Sequence, residues 1–329
     1  MTTHIQTSAP IQPLYGTPST RSGLAESPLW DDAAQCWYWI DIPKRQIHRH
    51  TATEVHTEWQ LPHNEANDPG AMCITENGWL IIALRAGLAQ FDPATPAGEV
   101  VLPLFLDAPY DTTTTRFNDG GVDAQGRFWI GSLFSPKTHT GATLFCLEKG
   151  MLHAVAGELA AHAPHDGWGV ITSNGWAMSL DGTHMYHADT QAHEVYRYDI
   201  DTSKPVTEML SNREVFYSTP NQQASKDANI TYQGRPDGAA VDSAGNFWNA
   251  QFEGGQVIQF SADGEILQRI MLPARCPTMV CFGGADLKTM LITTTGNRPE
   301  EELNDFPSNG YMLILRVEQA GLPTRRYVP

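Results

Sequence analysis

Short apolar runs, each introduced by an Asp- or Asn-containing turn, recur along the whole chain. Asp31-Asp32 leads into Cys36-Trp37-Tyr38-Trp39-Ile40-Asp41, and Asn77-Gly78 leads into Trp79-Leu80-Ile81-Ile82. The pattern returns after Asp123, Asp181, Asp242 and Asp286, where it heads the runs ending at Gly131, Ala188, Ala250 and Thr293. Asp-Gly and Asn-Gly dipeptides supply the positive φ of tight strand connections. A second alternating run follows several of the first: Gln46 to His50, Gly87 to Asp92, Glu194 to Asp199 and Gln256 to Phe260. Alternation with period two is the mark of a half-buried strand. The copies are spaced by roughly 45–60 residues, near the length of a four-stranded propeller blade. Six copies predict an all-β protein, a six-bladed β-propeller; a β-sandwich or two smaller β domains are the alternatives. No helical period is sustained beyond about three turns. Residues 157–165 are left open between a short helix and a loop. The domain reading is an N-terminal extension, 1–20, followed by a single propeller domain, 21–329.

Composition agrees with a packed globular core. Trp 9, Tyr 10 and Phe 12 accompany only 18% charged residues, which excludes a disordered or coiled-coil chain. The net charge of -16 would repel a nucleic-acid backbone; its ordinary meaning is solubility. Residues 1–16 carry no basic segment followed by an apolar one, so no secretory signal is expected. No apolar run approaches the ~20 residues of a membrane span. The five cysteines are odd in number, form no C-x-x-C pair, and fit a reduced, cytoplasmic setting.

Three turns at the expected starts of strands each place one oxygen-bearing side chain beside small residues. These are Glu26 in Glu26-Ser27-Pro28, Asn174 in Ser173-Asn174-Gly175 and Asp237 in Pro236-Asp237-Gly238. Two carboxylates and an amide carbonyl suit a hard divalent cation, and a cation in a cleft can promote ester hydrolysis. Each residue also has an ordinary reading: Glu26 as a solvated loop residue, Asn174 and Asp237 as turn formers. Arg116 reads either as a surface ion-pair partner or as a donor aimed at a developing oxyanion. The twelve histidines show no zinc spacing and are read as strand or loop residues. Neither G-x-S-x-G nor G-x-G-x-x-G occurs, so neither a nucleophile elbow nor a nicotinamide site is expected.

These stretches together resemble the senescence marker protein (regucalcin), gluconolactonase and luciferin-regenerating-enzyme family. The resemblance rests on Glu26-Ser27-Pro28-Leu29-Trp30, Arg116-Phe117-Asn118-Asp119-Gly120, Ser173-Asn174-Gly175, Pro236-Asp237-Gly238 and the late run Cys281 to Leu287. They occur in the family's order and cover about Leu24 to Leu315. The resemblance implies a central channel with one divalent cation held by Glu26, Asn174 and Asp237, and a substrate pocket lined by Arg116 and Asn118. Calcium is the first choice of metal, with zinc, manganese or iron as alternatives. The implied activity is opening of a sugar-acid lactone, with Asp237 as general base or as the group that orients a metal-activated water. A phosphotriesterase or other esterase on the same site, and a non-catalytic calcium-binding propeller, are the competing functions; the expected partner is a small-molecule lactone, with neither nucleic acid nor membrane. One departure is visible. The acidic pair that some animal members carry after the third-blade strand is replaced by Ser132 to Lys137, with Phe134 and Pro136. The rim is therefore less negative and more apolar. It predicts a lactone with fewer or differently placed hydroxyls than gluconolactone, such as a pentonolactone, a deoxysugar lactone or a non-sugar lactone.

Overall fold

The computed structural model describes residues 10–160 and 168–329. Its strands form six antiparallel sheets around a central channel, one per blade. Blade 1 runs Ala25–Asp31, Cys36–Asp41, Gln46–Thr51 and His56–Gln60, with Gly98–Glu99 added in parallel at its outer edge. The innermost strands of blades 2 to 6 are Pro69–Ile74, Thr115–Val122, Ser173–Met178, Arg235–Val241 and Pro277–Gly283. The predicted Asp-turn runs are the second strands of their blades, such as Phe128–Phe134, His184–Asp189 and Phe247–Phe252. Six apolar clusters of described residues fill the seams between neighbouring blades. Large buried aromatics such as Trp39, Trp59, Trp129 and Trp248 carry much of that packing.

The N-terminal extension requires a correction. Gln12–Tyr15 pairs with Met312–Arg316 and becomes the outer strand of blade 6. A closed ring needs its two chain ends joined, and a strand borrowed from one end satisfies the edge of the last sheet. Of the open segment 157–165, Gly157 ends the strand Met151–Gly157, and residues 161–167 lie outside the described residues. The only α-helices among the described residues are short, Gln222–Asp227 and Glu300–Asp305. No helix among them is long and apolar enough to cross a membrane.

The turns at Asp123 and Asp242 are held by one device. Asp242 accepts hydrogen bonds from the backbone N–H of Ala244 and Asn246, both at 2.9 Å. It also takes the indole N–H of Trp248 at 2.8 Å and the Gln259 amide at 3.0 Å. Asp123 does the same with the Arg127 backbone N–H at 3.0 Å and the Trp129 indole at 2.8 Å. In both blades one carboxylate closes a turn and satisfies a buried indole in the next strand, and Asp31, Asp181 and Asp286 close their turns through backbone N–H groups. Asp242→Ala would strand several buried donors, so a loss of about 2 kcal/mol or more is expected. Urea unfolding followed by tryptophan fluorescence checks it.

Candidate active site

The innermost strands share a local defect. Glu26 pairs with Ile40 and Leu29 with Tyr38, so three steps on one strand match two on its partner. The same extra residue appears between Phe117 and Gly120, between Asn174 and Ala177, and between Pro236 and Ala239. Such bulges re-aim side chains that regular alternation would send into the blade. The backbone conformations fit: Ser27 has φ 50° and Gly175 has φ 56°. At Gly175 a Cβ would come 2.8 Å from the Asp237 carbonyl oxygen, so only glycine lets these two strands approach. Asp41 and Asp189, each ending a second strand, clamp the approach to the inner one. Asp41 accepts from the N–H of Gly23 at 2.8 Å, and Asp189 from Ile171 and Thr172 at 3.0 and 3.1 Å.

The bulges bring together five residues from four blades. Glu26, Arg116, Asn118, Asn174 and Asp237 line one cavity of about 240 Å³ at the end of the channel where the inner strands begin. Leu24, Leu133, Lys137, Thr172, Thr190, Gln191, Arg235, Phe252, Thr295 and Asn297 complete its wall. At the other end, a second cavity is lined by the far halves of the inner strands and by Leu322 to Arg325. The C-terminal tail crosses that end from the Asp242–Gly321 bridge to the Thr75–Tyr327 bridge.

The two amides are locked. Asn118 donates both amide hydrogens, to the Ser173 carbonyl at 2.9 Å and to Asn174 Oδ1 at 2.7 Å. Asn174 donates to Thr190 Oγ1 at 2.7 Å, and Thr190 in turn donates to the Pro236 carbonyl at 2.7 Å. Thr190 therefore couples the Asn174 and Asp237 turns across two blades. Donation through Nδ2 leaves Asn118 Oδ1 as an acceptor for a ligand, and Asn174 Oδ1, which accepts from Asn118, keeps its second lone pair.

Burial raises the Glu26 carboxyl well above the usual range, reinforced by the charges of Asp237 and Asp119 and opposed by Arg116. Burial and Asp119 do the same to Asp237. Asp119, bound to the backbone N–H groups of Gly120 and Trp176, is itself pushed up by burial to about 6. Burial lowers the Arg116 guanidinium, while Glu26 partly restores it. Glu26 and Asp237 are buried carboxylates that raise each other's cost of ionisation, with Asp119 adding to it, and a divalent cation is the natural complement for Glu26, Asp237 and an amide oxygen.

No histidine among the described residues lines this cavity. His48, His56 and Glu58 have ligand atoms within 4.8 Å of one another, close enough to share a cation. They sit in the outer half of blade 1, where His48 stacks on Trp39 and His56 on Tyr15 of the closing strand. Burial pushes these histidines down to about 3 and about 4. His187 is buried against Ser173 Oγ at 2.6 Å, and His193 meets the Tyr232 hydroxyl at 2.9 Å. Sequence reasoning missed Thr190, Asp119 and Arg235 as site residues. Asp119 lies inside the Arg116-to-Gly120 motif and Arg235 directly precedes Pro236-Asp237-Gly238, while Thr190 had no local signal beyond following Asp189 in a turn.

The SMP-30/gluconolactonase/LRE-like region matches residues 24–296. A 6-deoxy-6-sulfogluconolactonase from Pseudomonas putida is 38% identical, over 91% of this chain and 93% of its own length. A pentonolactonase from Haloferax volcanii is 31% identical over 93% and 95%. The crystal structure of regucalcin from Agrobacterium tumefaciens superposes with a TM-score of 0.81, 23% identity and full coverage of both chains. The chain belongs to the SMP-30/gluconolactonase/LRE-like family.

Proposed function

We propose that this protein is a metal-dependent lactonase acting on a sugar-acid lactone. The observation that carries this reading is the convergence of Glu26, Asn174, Asp237, Arg116 and Asn118 in one cavity, although 211 positions separate Glu26 from Asp237. A cation held by Glu26, Asn174 and Asp237, with calcium the first choice, would polarise the ring carbonyl and make water more acidic. Asp237 takes a proton from the attacking water, which adds to the carbonyl carbon as the ring C–O bond breaks. The freed ring oxygen takes up a proton and the product is the open-chain hydroxy acid. Arg116 donates one hydrogen bond to the Phe117 carbonyl at 2.8 Å, which holds its guanidinium at the cavity wall. Its remaining donors meet the carbonyl oxygen as charge develops there. Asn118, fixed by its two donated bonds, offers Oδ1 to a substrate hydroxyl. A pure binding platform would need neither Arg116 nor Asn118 in this cavity.

The rim supports a choice of substrate. Where an acidic residue would accept a sugar hydroxyl, the chain has Phe134, Pro136 and Lys137, and Lys137 and Leu133 line the cavity. A buried hydroxyl left without a partner costs about 1–3 kcal/mol. A deoxysugar lactone or a pentonolactone avoids that cost. The names of the P. putida and H. volcanii relatives fall in these two classes. A panel of five- and six-membered sugar lactones, followed by acid release with a pH indicator, tests both levels. D-glucono-δ-lactone is expected to rank below the best substrate; if it led by more than tenfold, the reading of the rim would fail. Faster turnover of a phosphotriester than of any lactone would replace the lactonase reading.

A further inference from the structure

The walls of the cavity are more basic than the protein that surrounds it. The chain as a whole carries a net charge of -16, yet the charged side chains lining the cavity are Glu26 and Asp237 against Arg116, Lys137 and Arg235. The two carboxylates belong to the cation site. Once they are matched by a dication, the three basic groups face the substrate without a lining counter-charge.

Two of the three stand apart from the metal layer. Arg235 spreads over the Phe252 ring at 5.1 Å and pairs with Glu253 at 3.3 Å. Glu253 is shared with Arg298 at 3.2 Å; Arg298 and Arg275 both pair with Glu302. In that network three guanidiniums, those of Arg235, Arg275 and Arg298, share two carboxylates, so one positive charge is left over. Lys137 follows Pro136 in a turn closed by its own N–H to the Phe134 carbonyl at 3.2 Å, with φ 54°. Such a left-handed backbone is uncommon for a side chain of this length, and here it carries the lysine to the cavity. Its ammonium has no hydrogen-bond or ion-pair partner among the described residues. Partial burial, then Arg235, then Arg116 act to lower its pKa, so the three cations share one field. Lys137, with no carboxylate of its own, is repelled by Arg235 and Arg116, and an anion relieves that repulsion.

We infer that the substrate carries a fixed negative group, a sulfonate, phosphate or carboxylate, on the carbon remote from its lactone carbonyl, and that Lys137 and Arg235 hold it at the cavity mouth. The arrangement divides the work. The proposed cation ligands Glu26, Asn174 and Asp237 serve the ring carbonyl together with Arg116, and Asn118 takes a ring hydroxyl, while Lys137 and Arg235 supply charge-assisted donors to the tail. Phe252 and Leu133 cover the apolar side of the chain between them. The inference rests on the lactonase reading for the identity of the reacting end only; the anion site itself does not need turnover to be seen.

The test uses the metal-loaded protein and matched ligands. Initial rates would be compared for D-gluconolactone and for its 6-deoxy-6-sulfo, 6-phospho and 6-carboxylate counterparts. The anionic lactone that fits is expected to exceed the neutral one in kcat/KM by about 10²-fold, the equivalent of one to two charge-assisted bonds. The three anionic arms identify which group is accepted. In Lys137→Gln the ratio of anionic to neutral kcat/KM should fall by about tenfold. Lys137 is exposed, so this variant should fold; Arg235→Gln, which leaves Glu253 its Arg298 partner, should lower the same ratio. Calorimetry with the open-chain acids, 6-deoxy-6-sulfogluconate against gluconate, should show tighter binding of the sulfonate, weakened by Lys137→Gln and by added salt. If none of the lactones were opened, the lactonase reading would fall and the calorimetric comparison would still decide the anion site. Equal rates and equal binding for charged and neutral ligands would overturn the inference. So would an unchanged ratio in both variants.

Discussion

Asp237→Ala and Glu26→Gln are expected to abolish lactone opening while leaving the six blades folded. Both side chains project into the channel from a bulge, and neither belongs to an apolar seam between blades. Each substitution removes a charged oxygen ligand from a site with only three proposed ligands. Metal content by plasma mass spectrometry should fall with activity. Full occupancy together with full turnover in Asp237→Ala would sink the site assignment. Stability gives an independent readout with an opposite sign. The carboxyls of Glu26 and Asp237 are raised in the fold by burial and by their acidic neighbours. A raised carboxyl contributes stability that is fully present below the ordinary carboxylate range and is lost as pH rises through its folded value. At neutral pH the chelator-treated protein therefore carries repelling, desolvated charge. Its Tm should fall between acid and neutral pH and rise on adding calcium, whereas chelator-treated Asp237→Ala should melt no lower than the chelator-treated parent.

Arg116→Ala should lower kcat/KM for the best lactone by about 10²-fold or more, as loss of one oxyanion donor does. Arg116 is the basic residue that acts on Glu26 directly, and its charge opposes the rise of that carboxyl. Its loss therefore removes a donor at the carbonyl and leaves the acidic well less balanced. Arg116→Lys should recover little, because an ammonium cannot reproduce a fork already anchored to the Phe117 carbonyl. A defect confined to KM would make Arg116 a contact used equally by bound substrate and transition state.

The repeat of Asp turns and aromatic runs was enough to count blades. Each copy is a local unit: Asp31, Asp181 and Asp286 close their own turns through backbone N–H groups, and Asp123 and Asp242 also take the indole N–H six residues on, of Trp129 and Trp248. Local chemistry of this kind is legible without the fold. The proposed ligand residues stood out for a related reason, since Glu26, Asn174 and Asp237 each sit beside small residues at a bulge of an inner strand. The ring closure was not legible. Gln12–Tyr15 pairs with Met312–Arg316, and nothing in a short strand of Gln, Pro, Leu and Tyr says that its partner lies some three hundred residues away.

Charge placement divides in the same way. The sequence by itself determined that the chain is acidic and that an acidic residue is missing from the rim after Gly131. Only the tertiary structure decided that Lys137 stands in the same cavity as Arg116 and Arg235. It also decided that Glu253 is divided between two arginines, and that Thr190 ties the Asn174 turn to the Pro236 carbonyl. The physical reason is that a propeller brings the entrances of its inner strands to one axis whatever their separation in the chain. Periodicity and turn chemistry act over a few residues and fix each blade. The field inside the channel is a sum over side chains from several blades, and it exists only once the ring has closed.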